Sequence, residues 1–482
     1  MLKWFAPNIL GSVRRYGAFI IALLLLVLGV LGLARAFFDL DTFLSPEPRL
    51  EPRPAAQGGS GEQPNVVAIE LESVGARAVG AYNSQAQTTP FLDSLAADSL
   101  LAERAYTTTP HTGKALVSSN CGIYPPPHTL SSEAHEDALP VPCMAELLGE
   151  QGYETMHFGP AKVPDPPELA GSGSYLMENF GFSEDEIYPK EEIPTEGFEK
   201  ANYFSYEDAT MLEPSRQWLQ ENAVDSESPF YASYKTSTPH HPYYAPGRYG
   251  HQEYAAAMGR PDDEEYNRYL NSVHYVDQFL KELIGQYKEM GLYEDTIFVI
   301  YADHGESFGE HDTPEGEPQE QHDQVPYEEG VRVPLMVHAP GSDRAQGKIP
   351  RLSSLMDILP TVADLAGYRL QGADNYQGKS LLSREPSWAR TLYFSCWPPG
   401  ECTGAIKASD SNPEGKKYVY HFGRGLEEYY DLASDPEERR NLLAHTGEQA
   451  SESAAQLYKQ TSQWLSSTVN RYDKTGSGDG NG

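Results

Sequence analysis

"YEDTIFVIYADHGESFGEH", residues 293–311, holds the reading on which the fold turns. Its core, "TIFVIYA" (296–302), is a continuous apolar run without polar alternation. Such a run predicts a strand buried on both faces, as in a parallel sheet covered by helices. Asp303 and His304 follow at once. In open α/β sheets, sites form beyond the carboxyl ends of strands, so the residues just past each strand are where chemistry is to be sought.

Working outward, the same pattern recurs. "NVVAIEL" (65–71) is a second buried-strand run, with Glu72 at its end and Glu70 two residues earlier. "SPFYASYKT" (228–236) predicts a third strand and leads into "TSTPHHPYYAP", with His240 and His241. "PLMVHAP" (334–340) predicts a fourth, preceded by "QHDQVPYEEGVRVP" with His322 and Arg332. Between them, "PFLDSLAADSL" reads as a helix, and 262–291 as a long amphipathic one. Tyr266, Tyr269, Val273, Val276, Leu280 and Leu283 line one face of the long helix. This alternation predicts an α/β fold with a mainly parallel sheet flanked by helices. After about residue 386 the strands shorten ("TLYFSCW", "KKYVYHF") and one helix follows at 447–468, which predicts a smaller α+β subdomain.

The formal net charge is −34. A nucleic-acid partner is excluded on that ground, because a phosphate backbone needs a basic footprint. An anionic substrate would need a local positive centre, such as a metal ion with Lys or Arg. "GAFIIALLLLVLGVLGLA" (17–34) is an uncharged run. As a helix it spans about 27 Å, close to a bilayer core. Arg14 and Arg15 precede it, which predicts a cytoplasmic N-terminus and an extracytoplasmic remainder. The alternative is a cleaved signal peptide, with Ala34-Arg35-Ala36 as the small-x-small site, and it exports the same residues. An even count of four cysteines in an exported chain favours disulfides. Cys396 and Cys402 flank "WPPGE", and Cys121 with Cys143 is the other possible pair; sequence leaves the pairing open. The expected plan is a cytoplasmic 1–16, a transmembrane anchor at 17–38, and a Pro/Gly-rich linker at 39–63. A catalytic domain at 64–385, a C-terminal subdomain at 386–473 and a disordered tail at 474–482 follow.

Each strand-end group is ordinary alone. An Asp-His pair is commonly a loop hydrogen bond, and "PHHP" could be a rigid turn. Several carboxylates and imidazoles on one sheet edge, however, suit Mn²⁺, Mg²⁺, Ca²⁺ or Zn²⁺.

These pieces, in this order, resemble the sulfatase/alkaline-phosphatase superfamily over about residues 64–443. "PNVVAIELES…GAYN" is similar to the family's first strand and metal ligand, and "TTPFLDSLAADS" to its "TPNLDxLA" helix. "PHHP" resembles its PHxP turn, and "YEDTIFVIYADHGESFGEH" its second metal strand. "HDQVPYEEGVRVPLMV" and "YYDLASDPEERRNL" resemble its last two signatures. The resemblance implies an alkaline-phosphatase-like fold and a metal held by Glu72, Asp303 and His304.

It also gives a meaning to "TTTPHTGKALVSSNCGIYP", 107–125. Family sulfatases carry C/S-x-P-S-R here, with Tyr-Pro 12 residues after the nucleophile. Tyr124-Pro125 stands at that distance from Thr112. Thr112 therefore takes the nucleophile's position, and Cys121 falls outside it. Threonine cannot give the formylglycine aldehyde, and "GKA" replaces P-S-R. A threonine nucleophile with a glutamate on the first strand resembles the lipoteichoic acid synthase and phosphoglycerol transferase branch. Members of that branch are membrane-anchored and use one divalent ion, typically Mn²⁺.

A free threonine hydroxyl is a poor nucleophile, and coordination to a divalent cation activates it. Glu72, Asp303, His304 and Thr112 are the expected metal group. Thr112 would attack phosphorus, His240 would protonate the leaving group, and Lys114 and His322 would stabilise non-bridging oxygens. Lys235 and Arg332 are further candidates for substrate binding. His111 and His241 are expected as neighbours, His274 as a packed helix residue, and Glu70, Glu306 and His311 as supports at most. Three functions follow: a metal-dependent phosphotransferase or phosphodiesterase acting on an anionic ester of envelope lipid or glycan; a sulfuric ester hydrolase working without formylglycine; and an inactive envelope binding protein. Oligomeric state is not specified.

Overall fold

The computed structural model describes residues 47–53, 63–129, 139–163, 177–189, 195–226, 228–314, 316–322, 325–383, 389–398, 400–444 and 448–476. The expected anchor at 17–38, the 1–16 segment and most of the 39–63 linker lie outside these residues. Among the described residues, no helix is long and apolar enough to cross a membrane.

The main sheet has eight strands: β1 (Asn65–Leu71), β2 (Leu100–Ala102), β3 (Glu154–Phe158), β4 (Ile187–Tyr188), β5 (Phe230–Lys235), β6 (Thr296–Ala302), β7 (Leu335–His338) and β8 (Gly347–Ile349). Their spatial order is β8-β2-β7-β6-β1-β5-β3-β4. β6, β1, β5, β3 and β4 are mutually parallel. Every residue of β1 and β6 is buried, which explains their unbroken apolar runs.

β7 departs from the parallel expectation, for it runs antiparallel to both β6 and β2. The reason is the connection. A parallel return needs a crossover, usually a helix, across the sheet. Between Ala302 and Leu335 the chain instead makes a hairpin (Ser307–Asp312 with Pro318–Gln321) and a short turn (Glu328–Val331), then re-enters at the same edge.

Five helices matter for the argument: α1 (Pro90–Ala97), α2 (Thr112–Cys121), α3 (Glu264–Glu289), α4 (Ile358–Leu365) and α5 (Glu448–Gly476). All six positions of the expected α3 face are buried. Asp263 caps α3 by accepting from Tyr266 N. Asp277 of α3 accepts from the Phe91 and Leu92 amides at the start of α1, locking the two helices together.

The C-terminal region is an antiparallel sheet, β9 (Arg390–Ser395), β10 (Cys402–Ser409), β11 (Asn412–His421) and β12 (Leu426–Asp431), in that spatial order. α5 outruns its expected end at 468 and enters the stretch expected to be disordered. No helix breaker intervenes before Gly476, and Tyr472 OH donates to Tyr124 O (2.7 Å), tying the last turns down. Disulfides join Cys121 to Cys143 and Cys396 to Cys402. The first fixes the far end of α2, the helix that begins at Thr112.

Candidate active site

β1 and β6 are adjacent and parallel, so their carboxyl ends deliver Glu72 and Asp303-His304 to one place. The three side chains are fully buried, and ligand atoms from all three lie within 4.8 Å of one another. Asp303 Oδ1 accepts from the amides of Ser73 (2.9 Å) and His304 (2.8 Å), which fixes the carboxylate plane. Asp303 Oδ2 is buried without a hydrogen-bond partner. An unpaired buried acceptor costs about 1–3 kcal/mol, more when charged. A cation would offset that cost. His304 Nδ1 bonds the Gly305 carbonyl (3.0 Å), which makes Nδ1 the protonated nitrogen and leaves the Nε2 lone pair facing Glu72 and Thr112. Burial, followed by the nearby His322, holds the His304 pKa well below its ordinary value, so the ring is neutral. Gly305 is required by space: a Cβ there would fall 2.0 Å from Glu329 O. Two carboxylates and one neutral imidazole form the donor set of a small divalent cation, and this group fits one.

Thr112 is the first residue of α2, after His111 as N-cap. Its Oγ1 lies 3.2 Å from His304 Nε2 and 3.5 Å from Glu72 Oε1. The hydroxyl thus sits within the ligand group, at a helix N-terminus whose amides favour an anion. All four expected metal-group residues are therefore brought together.

His240 and His322 join them. The His322 ring stacks on His304 at 4.3 Å, and the His240 ring stands 5.3 Å from His322. Glu306 orients His322, with Oε2 3.1 Å from Nδ1. His240 Nδ1 bonds the His241 carbonyl (2.8 Å), which aims Nε2 away from the turn. Burial lowers the His240 pKa, and Glu72 only partly opposes it. The "PHHP" turn is itself held by Asp208, whose carboxylate accepts from the Ser237 amide at 2.7 Å.

Lys235, at the end of β5, pairs with Glu72 Oε2 and lies 3.6 Å from Glu70 Oε1. Burial would lower its pKa, but Glu72, Glu70 and Asp303 together raise it, so the ammonium persists. Burial raises the Glu72 carboxyl, yet Lys235, His240 and His304 together outweigh burial and hold it well below the usual range. Asp303 goes the other way, pushed up by burial and by Glu72. Burial takes Glu70 up to about 7 against the pull of Lys235. Lys235 is thus a partner of the ligand carboxylates before it can be anything to a substrate.

Lys114 and Arg332 are not brought into the group. Lys114 Nζ donates to Pro126 O (2.8 Å) and Thr129 Oγ1 (2.9 Å), and sits beside the site rather than in it. Its side chain is drawn to the 126–129 carbonyl and hydroxyl that burial leaves in need of a donor. Arg332 bonds the Glu103 carbonyl (3.2 Å) on a short strand paired with Ala105–Tyr106. His274, expected as a packed helix residue, is buried in α3 and bonds Thr88 O (2.9 Å).

Two features escaped the sequence reading. Ser73 adopts φ 57°, and its Oγ donates to Glu72 Oε1 (3.0 Å), fixing the first-strand ligand. Trp397, from the Cys396–Cys402 loop, stacks on His111 at 3.9 Å. The cysteine-bounded "WPPGE" marks that loop, but nothing in it says where the loop lands. Behind it, Ser395 N donates to Thr108 O (3.1 Å), and Thr109 Oγ1 meets Ser395 Oγ (2.7 Å). The threonine run before Thr112 is thus bonded to β9.

Residues 64–368 match the family described as Sulfatase. The chain belongs to that family. Residues 318–466 of this sulfatase-family chain also match the C-terminal region of N-sulphoglucosamine sulphohydrolase. The chain is 25% identical to an ulvan-active sulfatase of Formosa agariphila, over 79% of its own length and 77% of the relative's. A lipoteichoic acid synthase-like protein of Bacillus subtilis, YvgJ, is 30% identical over 35% of this chain and 27% of its own. A solved structure of an alkaline phosphatase superfamily protein from Vibrio parahaemolyticus superposes with a TM-score of 0.63 at 20% identity, covering 89% and 92% of the two chains. This sulfatase-family chain is an enzyme of the sulfatase/alkaline-phosphatase superfamily, with the fold that the superfamily resemblance implies.

Proposed function

We propose that this chain is a membrane-anchored, metal-dependent phosphotransferase or phosphodiesterase, facing outward and acting through Thr112 on a phosphoester of envelope lipid or glycan. The observation that carries the reading is the position of Thr112 Oγ1, 3.2 Å from His304 Nε2 and 3.5 Å from Glu72 Oε1 at the head of α2. An unmodified hydroxyl stands where the formylglycine route needs a cysteine or serine. The 30% identity to YvgJ supports the same branch.

Glu72, Asp303, His304 and Thr112 would hold one divalent ion, with Mn²⁺ first among Mn²⁺, Mg²⁺, Ca²⁺ and Zn²⁺ on the branch resemblance. When bound, the ion supplies Lewis acidity that lowers the pKa of the hydroxyl it meets. Thr112 Oγ1, its proton released to water, would form the bond to phosphorus while the opposite ester bond breaks. His240 gives its proton to the departing oxygen. The α2 amides and His322 stabilise the phosphoryl oxygens. In the second half, water or an envelope hydroxyl attacks the phospho-threonine, His240 takes the proton of the attacking O–H, and Thr112 Oγ1 departs as the oxyanion it was before the first step. Burial depresses the His240 pKa, and an anionic ester beside it pulls in the opposite direction.

A second reading, sulfuric ester hydrolysis without formylglycine, is favoured by the family match and by the ulvan-active sulfatase relative. One experiment separates the two. The full-length protein in detergent is assayed with nitrophenyl sulfate, nitrophenyl phosphate and bis-nitrophenyl phosphate, with and without Mn²⁺, beside Thr112→Ala. The expected result is Mn²⁺-dependent diester turnover that falls at least about 10,000-fold in the variant. Sulfate turnover that needs Thr112 would replace the first reading with the second.

A further inference from the structure

His240 stands against a loop that the proposed chemistry leaves unused. "ANYFSY", residues 201–206, lies between β4 and β5 in the chain. It puts two aromatic rings on the imidazole. The Phe204 centroid is 4.9 Å away and the Tyr203 centroid 5.4 Å, with interplanar angles of 76° and 79°. His322 meets the same imidazole at 5.3 Å and 74°. Edge-to-face is a favoured contact of rings at this separation.

The loop is clamped to the turn that carries His240. Asn202 is fully buried. Its Oδ1 accepts from the amides of Phe204 (3.0 Å) and Ser205 (2.9 Å). Its Nδ2 donates to Ser237 O (2.8 Å) and Ser237 Oγ (2.9 Å). An asparagine side chain offers two acceptor and two donor positions, and all of them are used at this junction. Ser237 O also accepts from the His240 amide (3.1 Å). One carbonyl thus receives both the side chain that shapes the loop and the backbone of the residue the loop touches. From the other side, Val163 N donates to Phe204 O (2.8 Å), so the aromatic pair is anchored at both ends.

A proton donor needs such a wall. The ring torsion of histidine is broad, and the bond from Nδ1 to the His241 carbonyl fixes one atom while the ring can still swing about it. A misplacement of about 1 Å can cost a reacting group about 100-fold. We propose that Asn202 and Phe204 are positioning residues for His240: Asn202 ties the loop to Ser237, and the Phe204 ring keeps the imidazole turned so that Nδ1 stays on the His241 carbonyl and Nε2 meets the departing oxygen. The inference rests on the reading of His240 as the acid in the reaction of Thr112.

The test uses the full-length protein in detergent with Mn²⁺. Two diesters differ in how much their leaving group needs a proton: methyl 4-nitrophenyl phosphate needs little and methyl phenyl phosphate more. Phe204→Ala, at a half-buried position, should lower kcat/KM about tenfold or more for the phenyl diester and less than about threefold for the nitrophenyl one. Asn202→Asp, which loses the donors to Ser237, should show the same bias, and Phe204→Tyr should keep the wild-type ratio. In a His240→Ala background Phe204→Ala should cost nothing further, because a positioning residue acts only through the group it positions. No loss in Phe204→Ala, equal losses on the two diesters, or a further loss in the His240→Ala background overturns the proposal. If the wild type turns over neither diester, the Thr112 reading has failed, and the loop is judged by NMR of the ¹⁵N-histidine-labelled protein, with His240 assigned by its loss in His240→Gln. The wild type should then show one His240 tautomer, protonated at Nδ1, and Phe204→Ala a mixture. The same tautomer in both overturns the positioning role.

Discussion

Glu72, Asp303 and His304 form one cluster of histidine and carboxylate; His311, Glu329 and Glu438 form another, with the same kinds of donor at similar separation. They differ in where the protons are. His304 uses Nδ1 on a carbonyl and keeps Nε2 free of carboxylate hydrogen bonds, and burial keeps it neutral. His311 meets Glu329 Oε1 through Nδ1 (2.7 Å) and Glu438 O through Nε2 (3.3 Å), so both nitrogens face acceptors. Burial would lower its pKa, but the Glu329 carboxylate outweighs burial and raises it. An imidazolium has no lone pair for a metal. Each cluster has a lysine: Lys235 pairs with Glu72 and Glu70 in the first, and in the second buried Lys417 lies 2.8 Å from Glu438 Oε1 and 3.3 Å from Glu328 Oε1. The difference is where the lysine reaches: Lys417 lies against Glu438 Oε1, whereas Lys235 pairs with Glu72 and Glu70 and Asp303 Oδ2 has no hydrogen bond. Equal donor lists therefore give opposite functions. One cluster is poised for an ion, and the other joins β11 to the 328–331 turn by charge pairing.

The comparison can be broken most severely at Lys417. Lys417→Met leaves Glu438 and Glu328 buried without their cation, at an expected cost of about 3–5 kcal/mol. The melting temperature should fall sharply while bound Mn²⁺ per folded molecule stays the same. Loss of metal with unchanged melting would mean that the two clusters have been assigned the wrong way round.

His240→Ala sharpens the other side. A lost proton donor should slow esters with alkyl leaving groups by about 100- to 10,000-fold. Nitrophenyl esters, whose leaving group needs no proton, should lose far less. Equal losses on both would remove His240 from the role of acid.

The smallest effect is a pH dependence at His311. Its folded pKa is raised, so its contribution is complete below the unfolded value of about 6.5 and is lost as pH rises through the folded value. The melting gap between wild type and His311→Gln should be widest below about pH 6.5 and shrink as pH rises. A gap that grows with pH would contradict the cationic assignment.

The ligand group was legible because topology makes it so. Parallel neighbours end on the same edge, so Glu72 after one apolar run and Asp303-His304 after another had to meet. Thr112 was legible only through the superfamily resemblance, which sets Tyr-Pro 12 residues after the position that Thr112 fills. The losses share a different cause. Lys114, Lys235 and Arg332 have long side chains, and their direction depends on which buried acceptor is nearest: Pro126 O, Glu72 and Glu103 O. The antiparallel β7 escaped because an apolar run has no polarity of direction, and only the missing crossover reveals it. Trp397 escaped because its partner, His111, is distant in sequence.

The hydrogen bonds from Ser395 to Thr108 and Thr109 carry a consequence for ancestry. A gene cut short before β9 would encode the ligand-bearing strands yet leave the threonine run without the strand it rests on. A constraint on how Thr112 is seated is therefore also a constraint on a sheet far downstream, since Thr109 and Ser395 are 286 residues apart. Exchanging one half of such a chain without the other would have to restore these bonds before Thr112 could be seated as it is here.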